Sequence, residues 1–172
     1  MTNLFDLTGK TALITGGGGL LGPKHAEAIV EYGGKVILAD WHEDRAKEKA
    51  ESIGKNASYE YIDVTDKKSI QSVVDKYDKI DILINNAAKD PKVKKGGGLK
   101  PDSRFETMTE DYWKEGIDAC INGTFLCSQI VSNKMLKNGG GVILNISSDL
   151  GVIAPDQRIY KQDGVEDNLQ NV

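Results

Sequence analysis

The sequence predicts an α/β protein with a doubly wound parallel sheet and helices on both faces. Three observations predict it. Five short apolar or β-branched runs alternate with stretches of helical periodicity. A glycine run, TGGGGLLG at residues 15–22, lies directly between the first apolar run and the first helical stretch. The second apolar run ends in a carboxylate, Asp40, 18 residues beyond Gly22.

Each element follows from its residues. TALIT at 11–15 is the first strand. Residues 22–32 place Ala26, Ile29 and Val30 at helical spacing, with Pro23 in the first turn and Gly33-Gly34 as the stop. KVILA at 35–39 is nearly all apolar, as a strand covered on both faces should be. Residues 43–53 read as a charged amphipathic helix closed by Gly54, and SYEYI at 58–62 as a third strand. Thr65 is expected to cap a helix running to about Tyr77, and residues 80–84 supply a fourth strand. Pro91, Gly96–Gly98 and Pro101 break up residues 85–108. Thr109 opens the longest helical region, to about Lys137, with a bend expected near Asn122-Gly123; residues 141–146 are the fifth strand.

The length, 172 residues, suits a single domain, with about 1–146 as the core and 147–172 as an active-site loop and tail. Apolar residues at 39% and charged residues at 28% are ordinary for a globular chain, and no apolar run is long enough to span a bilayer. A net charge of −4 disfavours nucleic-acid binding through the overall field. Cys120 and Cys127 lie too far apart on a helix to bridge, and read as reduced residues of a cytoplasmic protein. His25 and His42 have no ligand partners at metal-site spacing, so no metal is expected. Lys89, Lys92, Lys94, Lys95, Lys100 and Arg104 form either a solvated loop or a flap that meets an anionic substrate.

The glycine turn carries the chemistry. Thr15, Gly16, Gly18, Gly19, Leu20, Leu21 and Gly22 bring bare backbone to a helix N-terminus, where free N–H groups and a partial positive charge receive a pyrophosphate. Asp40 is placed to accept the hydroxyls of an adenosine ribose, with Trp41 and His42 flanking the adenine. A 2′-phosphate there would meet a like charge about 4 Å away, a penalty of roughly a few kcal/mol at an effective dielectric near 20. That favours NAD over NADP.

Further residues carry a resemblance. Asp63-Val64 follows the third strand, Asn85-Asn86-Ala87 ends the fourth, Gly123-Thr124-Phe125-Leu126 lies mid-helix, and Asn145-Ile146-Ser147-Ser148 closes the fifth. With the glycine turn and Asp40, these resemble the short-chain dehydrogenase/reductase family from about Leu7 to the region of Tyr160. The resemblance implies a Rossmann-type, three-layer α/β/α fold and hydride transfer between a nicotinamide and an alcohol or carbonyl. It implies that Asp63 and Val64 contact the adenine and that Asn85, Asn86 and Ala87 line the cofactor. Ser148, with adjacent Ser147 as the fallback, would hold the substrate oxygen. It also implies a small-molecule substrate and a homo-oligomer. The segment DLGVIAPDQRIY and the long loop after Ala88 are similar to a subgroup associated with surface-polysaccharide biosynthesis, which suggests a sugar derivative.

Three positions depart from the family pattern. Leu20 stands at the commonest second-glycine position, while Gly16, Gly19 and Gly22 fit the GxxGxxG spacing of nucleotide-sugar-modifying relatives. Cys120 stands where the family often has an asparagine. Tyr160 is the candidate acid/base, yet position 164 is Gly where the family pairs its tyrosine with lysine. Residues 161–172 are polar, so the fifth strand is left as an apolar edge, and the chain is expected to lack C-terminal strands and the Tyr-Lys pair. Three readings remain open: an NAD-dependent oxidoreductase, an NAD-using nucleotide-sugar epimerase or dehydratase, and a non-catalytic dinucleotide-binding module.

Overall fold

The computed structural model describes residues 4–89, 105–153, 156 and 158, and contains the five expected strands, all parallel. They are β1 (Thr11–Thr15), β2 (Lys35–Asp40), β3 (Ala57–Tyr61), β4 (Ile82–Asn85) and β5 (Val142–Asn145), in the order β3-β2-β1-β4-β5. The helices are α1 (Gly22–Glu31), α2 (Glu43–Ile53), α3 (Lys67–Asp75), α4 (Glu110–Ile117) and α5 (Gly123–Lys137). The Rossmann-type arrangement is therefore as the sequence predicts.

Two compact units divide the chain: residues 1–88 with 118–146, and 89–117 with 147–172. The first holds the sheet. Alternation along β1 sends Ala12 and Ile14 to one face and Leu13 to the other. On the first face they pack with Ala26 and Ile29 of α1 and Ala46 and Ala50 of α2. Leu13 packs with Ile70 and Val74 of α3 and with Cys127 and Val131 of α5. Two apolar layers thus sandwich one sheet, and its strands end together at the carboxyl edge.

Local chemistry sets the boundaries. Helix α1 stops because Gly33, at φ +88°, turns the chain so that its N–H reaches the Val30 carbonyl while Gly34 N–H reaches Ile29. Helix α3 is capped by Asp66, whose side chain accepts from Lys68 N–H at 2.9 Å, and not by Thr65. The Thr65 hydroxyl instead turns back to the Asp63 carboxylate, to which it donates at 2.7 Å. Strand β3 is displaced by one residue from the expected 58–62. The irregularity expected near Asn122-Gly123 is a π-helical turn at Asp118–Asn122, next to which the Thr124 hydroxyl donates to the Cys120 carbonyl at 2.7 Å.

The second unit holds the 3₁₀ turns Phe105–Thr107 and Asp149–Gly151 together with α4. Thr109 opens α4 by accepting from Tyr112 N–H at 3.2 Å. Among the described residues, no helix is long and apolar enough to cross a membrane.

Candidate functional site

The carboxyl ends of β1, β2 and β4 bring most of the expected cofactor residues together. The Thr15 hydroxyl accepts from the backbone N–H groups of Asn86 and Ala87, each at 3.1 Å, and donates to the Ile84 carbonyl at 3.4 Å. The Asn86 amide answers by donating to the carbonyls of Thr15 and Gly16 at 3.0 and 3.1 Å. One threonine and one asparagine therefore tie the glycine turn to the chain leaving β4. Asn85 points the other way: its amide donates to Ser128 and Asn145 at 2.9 and 2.8 Å, joining β4 to α5 and β5.

The glycine turn has no room for side chains on most of its circumference. A Cβ at Gly16 would lie 2.9 Å from Ala87 Cα, one at Gly17 2.7 Å from Leu38 Cα, one at Gly18 2.8 Å from Arg45 Cβ, and one at Gly22 2.6 Å from the Gly16 carbonyl. Gly16 also sits at φ +66°, where an L side chain is strained. Gly19 meets only the Gly16 carbonyl, at 3.1 Å. Gly17, part of the glycine run but not among the expected cofactor contacts, belongs to this packing.

Asp40 is 7% exposed, and each carboxylate oxygen accepts a backbone N–H: Gly18 at 3.0 Å and His42 at 2.9 Å. The carboxylate clamps the glycine turn to the turn that follows β2. Trp41 beside it is exposed, with its ring tilted against His42 at 4.7 Å. Leu20 and Leu21 are exposed as well.

The residues fit a dinucleotide. Leu21 at the start of α1 offers no side-chain cap, and the first turn of α1 holds no carboxylate. The positive end of the helix thus carries neither a side-chain cap nor a carboxylate in its first turn, which suits an anion.

The remaining expected residues fall differently. Asp63 accepts from the backbone and hydroxyl of Thr65 at 2.9 and 2.7 Å, forming the turn into α3. Val64 packs so closely on the start of α5 that a Cβ at Gly123 would lie 2.8 Å from its Cγ2. Ser148 caps the 3₁₀ turn that follows it, accepting from Leu150 N–H and donating to Asp149, both at 3.2 Å. Ser147 is exposed. Tyr160 lies outside the described residues, as do Lys92, Lys94, Lys95, Lys100 and Arg104 of the cationic loop. Lys89 is paired with Glu115 and stands 5.6 Å over the Tyr112 ring. Among the described residues no group of three or more His, Cys, Asp or Glu is placed to hold a metal.

Sequence reasoning missed Arg45, Ser128 and the structural part of Asn145. Asn145 had a signal: it stands opposite Asn85 in the β4–β5 register. Arg45 had none, because only the fold brings α2 against Gly18.

An uncapped glycine turn at the carboxyl edge of a 3-2-1-4-5 parallel sheet defines a dinucleotide-binding α/β protein. Residues 10–160 match the family model for short chain dehydrogenase, and the chain belongs to that family. It is 34% identical over 160 residues to an NAD-dependent glycerol dehydrogenase of Listeria innocua, covering 90% of this chain and 59% of that one. It is 30% identical over 158 residues to a 3-oxoacyl-acyl-carrier-protein reductase of Rickettsia conorii, covering 91% and 61%. The crystal structure of gox2181 superposes with a TM-score of 0.78 at 30% identity, covering 88% of this chain and 58% of that one. The chain thus spans about three fifths of the curated relatives' length.

Proposed function

We propose that this protein is an NAD-dependent oxidoreductase that moves a hydride between the nicotinamide and an alcohol or carbonyl substrate, with a sugar derivative as the substrate class. One observation carries the reading: the glycine turn packs with bare backbone at the open N-terminus of α1, and Asp40 is held against it through Gly18. Bound NAD supplies the carbon that gives or takes the hydride. Residues 16–22 hold its pyrophosphate, and Asp40 disfavours a 2′-phosphate by charge. Asp63 and Val64 face the adenine, and Asn86 and Ala87 fix the turn from the β4 side. Ser148, once its hydroxyl leaves Asp149, holds the substrate oxygen; Tyr160 is the proposed proton carrier. The sugar class draws support from the DLGVIAPDQRIY segment and from a relative named for glycerol, itself a polyhydric alcohol.

Calorimetric titration tests the reading. Saturable binding of one NAD per chain is expected, at least about tenfold tighter than NADP, which corresponds to about 1.4 kcal/mol. Asp40→Ala should narrow that ratio; an unchanged ratio removes Asp40 from the ribose site. The GxxGxxG spacing of Gly16, Gly19 and Gly22 favours a second reading, a nucleotide-sugar epimerase or dehydratase. Net NADH formation from an alcohol or sugar supports the first reading, and NAD recycled without net change supports the second.

A further inference from the structure

Strand β3 is one edge of the sheet, and only half of its backbone is paired. Its ladder to β2 begins with Val36 N–H donating to the Asn56 carbonyl at 2.9 Å and ends with Ile62 N–H donating to Asp40 at 3.1 Å. Alternate residues of a parallel strand turn towards the neighbouring strand, so 56, 58, 60 and 62 face β2 while 57, 59 and 61 turn N–H and C=O outwards. Ala57 N–H is taken by the Gly54 carbonyl at 2.9 Å. The backbone groups of Tyr59 and Tyr61 make no hydrogen bond among the described residues.

A cavity of about 520 Å³ follows this edge. Its lining includes Tyr59, packed on the α2 side, and Ser58 and Glu60, which turn towards Tyr77 on the other side. The strand edge is therefore its floor. Small residues of the lining make the room, and a Cβ at Gly54 would meet nothing within 4 Å. The charged groups of the lining are both acidic, Glu51 and Glu60. Glu60 is satisfied, taking the Tyr77 hydroxyl at 3.0 Å and the Lys76 ammonium at 2.5 Å. Glu51, exposed on α2, makes no ion pair or hydrogen bond among the described residues. Lys47, the cation nearest to it on that side of the helix sequence, stands over the Tyr59 ring at 6.0 Å. Outward backbone donors and acceptors in a groove with space for side chains suit an added strand, whose main chain supplies affinity and whose alternate side chains supply specificity. The unpaired carboxylate selects a cation for one of those side chains.

We propose that this edge is a docking surface for an extended peptide segment carrying lysine or arginine, which adds to the sheet beside β3 and sets a cationic side chain against Glu51. The groove shares no lining residue with the glycine turn or Asp40, so the surface serves a partner rather than the dinucleotide.

Fluorescence anisotropy of the whole chain with a labelled, end-capped peptide of alternating lysine and valine tests it, with circular dichroism confirming that each variant folds. Saturable binding is expected, and Glu51→Lys should weaken it about fivefold, the upper value of an exposed ion pair. Glu31→Lys, an equal change of net charge at an exposed position on α1, should leave affinity within about twofold, as should Leu144→Lys on the other edge of the sheet. Methylating alternate backbone nitrogens of the peptide should cost about tenfold, because main-chain hydrogen bonds are lost. Equal losses in Glu51→Lys and Glu31→Lys would reduce the effect to net charge, and a loss in Leu144→Lys alone would move the peptide to β5. Either result overturns the proposal, as would unchanged binding of the methylated peptide, equal binding of a glutamate–valine peptide, or no binding at millimolar concentration.

Discussion

Two buried carboxylates do different work in this fold. Asp40 closes the carboxyl end of β2, where its partners are backbone N–H groups of the candidate site. Asp81 stands at the opposite end of the sheet. It is buried, accepts from Thr11 N–H at 3.1 Å, and pairs with Lys79 at 2.7 Å and Lys10 at 3.4 Å. Burial alone would raise its pKa, but the Lys79 hydrogen bond, the Thr11 N–H and Lys10 together outweigh burial, so the pKa falls below 3.8. A lowered carboxylate pKa stabilises the fold above the unfolded value and loses that contribution as pH falls through the folded value. Asp81→Asn should therefore destabilise the protein by about 1–3 kcal/mol at pH 7, and its stability should fall less steeply than wild type below about pH 4. Urea denaturation at pH 7, 4 and 3 measures both. The sequence singles out Asp40, which follows an apolar strand 18 residues after Gly22. It is silent on Asp81, because Lys10 and the Thr11 N–H reach it only when β1 and β4 lie side by side.

At the scale of elements, the glycine turn shows how one short segment divides its residues between packing and binding. Gly16 combines φ +66° with a Cβ position 2.9 Å from Ala87 Cα, whereas Gly19 meets only a carbonyl at 3.1 Å. Gly16→Ala should lower stability by about 1–3 kcal/mol and weaken NAD roughly tenfold or more, since the backbone must shift. Gly19→Ala should change stability by less than about 1 kcal/mol. Thermal melts and NAD titrations of the two variants, compared side by side, check this ordering; equal losses would mean that strain at Gly16 does not shape the turn. The elements themselves were largely legible. Gly33-Gly34 ends α1 as read, and the five strands fall within a residue or two of their sequence positions. What was not legible depended on which of several adjacent side chains wins a hydrogen bond. Thr65 and Asp66 are both good caps; in the fold Asp66 takes the Lys68 N–H, and the Thr65 hydroxyl turns back to Asp63. Likewise, the sequence marks Ser148 as a candidate site residue but does not reveal that its hydroxyl caps a 3₁₀ turn.

At the scale of the molecule, the sheet order leaves β3 and β5 at its edges, and the two edges differ in kind. Polar groups flank β3: Glu60 takes hydrogen bonds from Lys76 and from the Tyr77 hydroxyl, which also lies 3.4 Å from Ser58. Strand β5 carries Val142, Ile143 and Leu144, the composition of an interior parallel strand, yet all three are exposed, Val142 to 63%. Its outer backbone groups have no strand partner among the described residues. Apolar side chains beside unpaired N–H and C=O groups form a template for another strand, and no charge on β5 blunts it. The chain should therefore associate with itself as its concentration rises, with sedimentation velocity showing species larger than a monomer. Leu144→Lys places a charge on that edge without touching the Asn85–Asn145 bond and should shift the distribution towards monomer while leaving NAD affinity unchanged. If association persists in Leu144→Lys and in Val142→Lys alike, β5 is not the surface that drives it.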